Sequence, residues 1–156
     1  MRNRSWFLFA LLSLMAACAT PPITPPPEFV ELKDPGEGYR AVTADDARLR
    51  VRNLDDETAA DAKFWAGTLR SDLAQRGYEA VGEGAIADQT GVQGQWLEWV
   101  ANEQGERVGY LVAVWPRTKG LVWPRPYLQV VEFMARDAIY KQRIDAVKKA
   151  LGSVQK

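Results

Sequence analysis

The amino-acid sequence predicts an α+β fold, an antiparallel sheet with amphipathic helices on both faces (an α/β/α sandwich). Three observations predict it. Residues 108–115 read as a strand that is apolar on both sides. Val108, Tyr110, Val112 and Val114 fall on one side, Leu111, Ala113 and Trp115 on the other. Such a strand needs cover on both faces of its sheet. The apolar segments around it are joined by short turns, which favours antiparallel pairing. Two segments, 57–76 and 135–151, carry apolar residues at helical spacing and can supply the cover.

The chain opens with Arg2 and Arg4, an apolar run from Trp6 to Ala17, and small residues at its end. That is the pattern of a secretory signal peptide over 1–17. The run is shorter than the roughly 20 residues a membrane-spanning helix needs. Met15-Ala16-Ala17-Cys18 resembles the lipobox of bacterial lipoproteins. The resemblance implies cleavage before Cys18, a thioether-linked diacylglyceryl group on it, and acylation (palmitate) of the new amino group. Met15 departs from the more usual leucine. The alternative is Ala17-Cys18-Ala19 as an ordinary A-x-A site that releases a soluble protein. Cys18 is the one cysteine in the chain, so a disulfide within the chain is excluded and the residue needs another use.

Residues 18–37 then read as the lipidated cysteine and a proline-rich spacer. Pro21, Pro22, Pro25, Pro26 and Pro27 make a stiff tether, reaching roughly 30 Å at ~3.1 Å per residue. Pro35-Gly36-Glu37-Gly38 reads as a turn, so the domain is expected over 38–152, followed by a tail at 153–156. Within it, 39–43 and 47–54 form a hairpin around Ala44-Asp45-Asp46. Its second strand alternates, with Leu49 and Val51 on one face and Arg48, Arg50 and Arg52 on the other. The arginine stripe is either a solvated face paired with acids or a surface for anionic headgroups or a carboxylate-rich partner.

Asp55-Asp56 offers an N-cap for helix 57–76, which carries Trp65, Leu69 and Leu73 on one side and ends at Gly77. Residues 78–87 form a strand interrupted by Gly82 and Gly84, a bulge pattern. Strands 93–102 and 108–115 follow, with Trp96 and Trp99 on opposite faces. Pro116 to Gly120 reads as a turn into a short strand, Leu121-Val122-Trp123, broken or pushed to an edge by Pro124 and Pro126. Strand 127–134 and helix 135–151 complete the chain. Tyr140, Ile144, Val147 and Leu151 form the apolar stripe of that helix, and Lys148, Lys149 and Gly152 mark its end.

The order of elements resembles the PsbP-like fold group, which includes bacterial lipoproteins of the DcrB type. The hairpin, the helix ending at Gly77-Tyr78, the glycine-punctuated strands 82–94 and the terminal strand-helix unit carry the resemblance, over residues 38–152. It implies a non-enzymatic accessory or binding domain and supplies no catalytic residues.

Composition narrows the chemistry. Lys and Arg equal Asp and Glu at 20 each, and loss of Arg2 and Arg4 leaves the mature chain slightly negative. That argues against a general nucleic-acid binder. There is no histidine, the usual neutral-pH acid-base and metal ligand. Ser71 and Ser153 lie in no nucleophile-elbow sequence. No phosphate-binding glycine loop or calcium loop occurs, so neither cofactor nor metal is expected. Glu79, Glu98 and Glu132 lie on expected strands and leave open a carboxylate enzyme acting on a cell-wall glycan, which needs two acids about 5–9.5 Å apart.

One internal echo stands out. Val114-Trp115-Pro116-Arg117 returns as Val122-Trp123-Pro124-Arg125 around a turn holding Lys119. Trp and Arg are enriched at binding hot spots. Trp115, Arg117, Lys119, Trp123 and Arg125 are therefore candidate partner-binding residues. The other reading has both rings closing the core. The sequence-level expectation is a lipid-anchored envelope protein facing the periplasm. Ala19 after Cys18 fits outer-membrane more than inner-membrane sorting, and the domain is expected to bind another envelope component, a protein. A purely structural lipoprotein is the remaining alternative.

Overall fold

The computed structural model describes residues 21–33 and 38–156. The signal peptide, Cys18 and the first three residues of the expected turn at 35–38 lie outside the described residues. The chain forms an α+β fold with one seven-stranded antiparallel sheet and two helices. In chain order these are β1 (Val30–Glu31), β2 (Tyr39–Val42), β3 (Arg48–Asp55), α1 (Ala62–Gln75), β4 (Glu79–Ala87), β5 (Gln93–Glu103), β6 (Glu106–Lys119), β7 (Arg125–Arg136) and α2 (Asp137–Leu151). The strand order across the sheet is β1-β2-β3-β7-β6-β5-β4.

The two-sided apolar character of β6 has a direct cause. Leu111, Ala113 and Trp115 cluster with Val131 and Phe133 of β7 and with Tyr140, Ile144, Val147 and Leu151 of α2. The alternate residues Val112 and Val114 cluster with Leu97 and Trp99 of β5 and with Ala66 and Leu73 of α1. Successive strand residues point to opposite faces, so each helix packs on its own set. Trp96 joins the α2 set and Trp99 the α1 set, as their odd spacing requires. The expected bulge appears as a register shift between Ala80 and Gly82.

Four expectations change. First, α1 begins at Ala62. Asp61 is its N-cap, and its Oδ1 accepts from the Phe64 backbone N–H at 2.8 Å. Asp56 instead closes a tight turn ahead of the helix. Its carboxylate accepts from the Thr58 hydroxyl and backbone N–H, from the Ala59 N–H, and from Trp65 Nε1. At the other end Gly77 has φ +83° and Tyr78 N–H reaches the Leu73 carbonyl, a left-handed cap as expected.

Second, Pro116 lies inside β6, and residues 121–123 form no strand. The β5 ladder on β6 stops at Gln95↔Val114, so beyond that rung one side of β6 is an edge. A missing N–H is tolerated there. Pro126 likewise lies past the last β3–β7 rung, Asp55↔Tyr127. The hairpin therefore runs on to Lys119↔Arg125, and its connection is Gly120–Pro124.

Third, the start of the domain at residue 38 is too late. Ile23 is fully buried in the α2-side core, and Phe29 packs edge-on to Phe133 with ring centroids 6.1 Å apart. Val30↔Val42 adds β1 to the sheet edge. The proline-rich segment from Pro21 is therefore bound to the fold rather than a free tether. Fourth, the tail is packed as well. Val154 is buried, and the Gln155 N–H donates to the Pro22 carbonyl at 3.0 Å.

Candidate functional site: an arginine-lined cleft

β3 alternates as its sequence predicts, and Arg48, Arg50 and Arg52 emerge on the face where Glu132 and Met134 of β7 lie opposite them. On the α1 face this end of the sheet is closed only on one side. The C-terminal end of α1 supplies Leu73, Arg76 and, just past Gly77, Tyr78. Between that end and the strands β2 and β3 lies a cleft of about 700 Å³. Leu32, Val42, Leu73, Met134, Tyr78 and Tyr110 give it apolar walls. Arg40, Arg48, Arg50 and Arg76 face Asp46 and Glu132 within the lining, so cations outnumber acids. The volume falls in the range of ligand pockets, ~300–1,000 Å³.

The charges are not equally satisfied. Arg48 pairs with Asp46 at 3.0 Å and Arg76 with Asp72 at 3.0 Å, both at the exposed rim. Arg52 pairs with Glu132 at 3.0 Å. Glu132 also accepts from the Tyr110 hydroxyl at 2.8 Å. Burial, and then the Glu132 charge, push the Tyr110 phenol far above its ordinary value, so it stays a neutral donor. Tyr78 is raised by burial and by Glu103, to which it donates at 2.9 Å. The two rings meet edge to face at 6.0 Å and form one wall.

Arg50 is the exception. Among the described residues it makes no ion pair, and its Nε is shielded from solvent with no hydrogen-bond partner. Across the β2–β3 ladder it stands directly opposite Arg40, and across the β3–β7 ladder directly opposite Glu132, whose ion pair is with Arg52. A buried guanidinium N–H left unbonded carries a desolvation cost of its own. An anion in the cleft would relieve it.

The repeated Val-Trp-Pro-Arg segments separate. Trp115 is fully buried in the α2-side core. Arg117 is buried too; it pairs with Asp88 at 2.6 Å, and its Nε donates to Gln129 at 2.6 Å. Neither can touch a partner. Lys119 pairs with Asp55 at 3.1 Å and lies 5.8 Å from the Tyr127 ring, at the surface. Trp123 is 81% exposed, and Arg125 is exposed beside it. The expected five-residue surface thus reduces to Lys119, Trp123 and Arg125.

The carboxylates do not converge. Glu132 faces the cleft, whereas Glu98 points to the other face, where Lys148 of α2 pairs with it at 2.5 Å. Glu79 is exposed at the start of edge strand β4. Glu98 and Glu132 cannot flank one glycosidic bond. Among the described residues no group of three or more His, Cys, Asp or Glu could hold a metal ion. None of their helices is long and apolar enough to cross a membrane.

Sequence reasoning missed Tyr78, Tyr110, Arg76 and Leu32 as cleft residues. Arg40 was legible in principle, because a hairpin turning at residues 43–47 puts it opposite Arg50. The others depend on where α1 ends over the sheet, which no local pattern reports.

No protein-family model matches the chain, and no curated protein matches it in sequence. Solved structures that share the fold include two proteins of low sequence identity. LpqN, described as involved in cell envelope biogenesis of Mycobacterium tuberculosis, is 11% identical with a TM-score of 0.61, covering 83% of this chain and 78% of its own. PA94, a protein of unknown function from Pseudomonas aeruginosa, is 12% identical with a TM-score of 0.60, covering 90% of this chain and 87% of its own.

Proposed function

We propose that this chain is a lipid-anchored envelope protein, held through Cys18 and facing the periplasm, with the outer membrane favoured over the inner by Ala19. Its domain is a PsbP-like α/β/α sandwich that works as a non-enzymatic binding module. It takes an acidic, carboxylate-bearing segment of another envelope protein into the arginine-lined cleft. The observation that carries this reading is Arg50, whose guanidinium lies in a cleft of ligand size without a partner for its buried Nε. Arg is suited to the task, since its planar fork binds carboxylates through two parallel bonds. The apolar walls and the Tyr78–Tyr110 corner would hold the side chains flanking the acid. That LpqN is described as involved in envelope biogenesis accords with an envelope setting.

The test is crosslinking in cells with the full-length protein. Arg50→Gln should remove the captured partner and leave the melting temperature nearly unchanged, because Arg50 makes no ion pair among the described residues and the uncharged amide puts no like charge opposite Glu132. An adduct of equal yield in Arg50→Gln would contradict the reading. Palmitate labelling of the same strains reports the anchor separately, and Cys18→Ala should abolish it.

A further inference from the structure

The β6–β7 hairpin outruns its neighbours. The β3 ladder stops at Tyr127 and the β5 ladder at Val114, while β6 and β7 stay paired to Lys119↔Arg125. Beyond that rung the connection carries Leu121, Val122 and Trp123, which are 100%, 76% and 81% exposed. Gly120 makes the turn possible. Its φ is +90°, and a Cβ there would meet the Trp123 carbonyl oxygen at 2.6 Å. Three large apolar side chains in a row at a protruding tip contribute nothing to the core and expose a contiguous apolar patch. Such patches mark interaction sites.

The chain enters the fold at this same end. The Pro21 carbonyl accepts from Gln155 Nε2 at 2.8 Å, and the Pro22 carbonyl from the Gln155 N–H at 3.0 Å. Gln155 in turn accepts from Gln129 Nε2 at 3.0 Å. Gln129 stands opposite Trp115, only a few rungs before the last one at Arg125, roughly 13 Å along the strand at ~3.3 Å per residue. Cys18 precedes Pro21 by three residues, a reach of at most ~11 Å whatever their path. The expected lipid and the apolar tip therefore leave the domain at one end.

We propose that the tip is a second membrane contact: Leu121, Val122 and Trp123 dip into the interfacial layer of the leaflet that holds the Cys18 lipid. The bilayer suits the patch better than a protein groove does, because the patch is a convex tip next to the anchoring point. Tryptophan favours the headgroup level, with its ring partly apolar and its N–H wet. Lys119 and Arg125 flank the tip, where their stems cover apolar surface and their charges reach phosphates. Asp55, which pairs with Lys119, keeps the rim from being strongly basic. Insertion is then driven mainly by apolar burial. One lipid tether leaves a domain free to turn, and a second contact fixes its orientation. The cleft lies about nine rungs from the tip along β6, at the Tyr110↔Met134 rung, so roughly 30 Å away. It would face away from the bilayer.

This inference rests on the lipid-anchored reading, and one preparation separates the two. The full-length protein is isolated from membranes and reconstituted into phosphatidylethanolamine–phosphatidylglycerol vesicles, with or without brominated acyl chains that quench tryptophan on contact. The wild type should lose part of its emission in brominated vesicles. Trp123→Phe should lack that quenchable component, and so should Leu121→Asp combined with Val122→Asp, at unchanged melting temperature. Equal quenching in wild type and Trp123→Phe, or none in either, would overturn the proposal. Mass spectrometry of the same sample reads acylation of Cys18. Acylated protein without Trp123 quenching overturns the tip contact alone. Unacylated protein with Trp123 quenched overturns the anchor and upholds the tip.

Discussion

Arg117 and Arg125 each end a Val-Trp-Pro-Arg segment, and they meet opposite fates. Arg117 is buried against Asp88, and Arg125 is open to water beside Trp123. The repeat was plain in the sequence, but the difference was not. It depends on Asp88, which reaches Arg117 from the turn after β4, and on where the β5 ladder ends. Asp88 is held by several donors. Burial works to raise its pKa, but hydrogen bonds from the Thr90 hydroxyl, the Val92 and Thr90 N–H groups and Arg117 outweigh it and hold the carboxyl below 3.8. A carboxyl depressed in the folded state stabilises the fold above its unfolded value and loses that contribution as pH falls through the folded value. The Asp88 contribution should therefore be complete at neutral pH and decline below pH 3.8. Asp88→Asn leaves Arg117 buried without its counter-charge and should cost about 3–5 kcal/mol. Urea unfolding at pH 7 measures it, and the gap between variant and wild type should narrow in acid.

At the scale of elements, the alternating strand β3, the two-sided strand β6 and the apolar stripe of α2 were all legible, because each is a local period that packing then used. Two elements were not. Proline content made residues 18–37 read as a lipidated cysteine and spacer, yet Ile23 and Phe29 are anchors in the α2-side core. Proline stiffness does not prevent docking; it lowers the entropy lost when the segment is fixed. The start of α1 was misplaced for a related reason. Asp55, Asp56 and Asp61 are all plausible caps, and Asp56 was diverted by the Thr58, Ala59 and Trp65 donors. If the N-terminal segment belongs to the fold, Ile23→Ala should lower stability by roughly 2–5 kcal/mol, read by thermal or urea unfolding of the full-length chain. A free spacer would show no change.

The molecule as a whole is polar in its layout. One end gathers the point of chain entry, the C-terminal residues and the apolar hairpin tip; the other gathers the turns after β2 and β5, the end of α1 and the arginine-lined cleft. The stripe of Arg48, Arg50 and Arg52 could be read from the sequence, but not which member lacks a partner. That was decided by Asp46 and Glu132, which take Arg48 and Arg52 and leave Arg50. The central claim is that this leftover cation serves an anionic group flanked by apolar atoms. A ligand that binds only the folded state stabilises it by mass action, about 2.7 kcal/mol at a hundredfold excess over Kd. The most direct measurement is the melting temperature of the full-length protein titrated with octanoate, a carboxylate on a short apolar chain. The account predicts a concentration-dependent rise in the wild type and none in Arg50→Gln, whose melting temperature without octanoate matches the wild type. A flat wild-type titration, or an equal rise in Arg50→Gln, would contradict it.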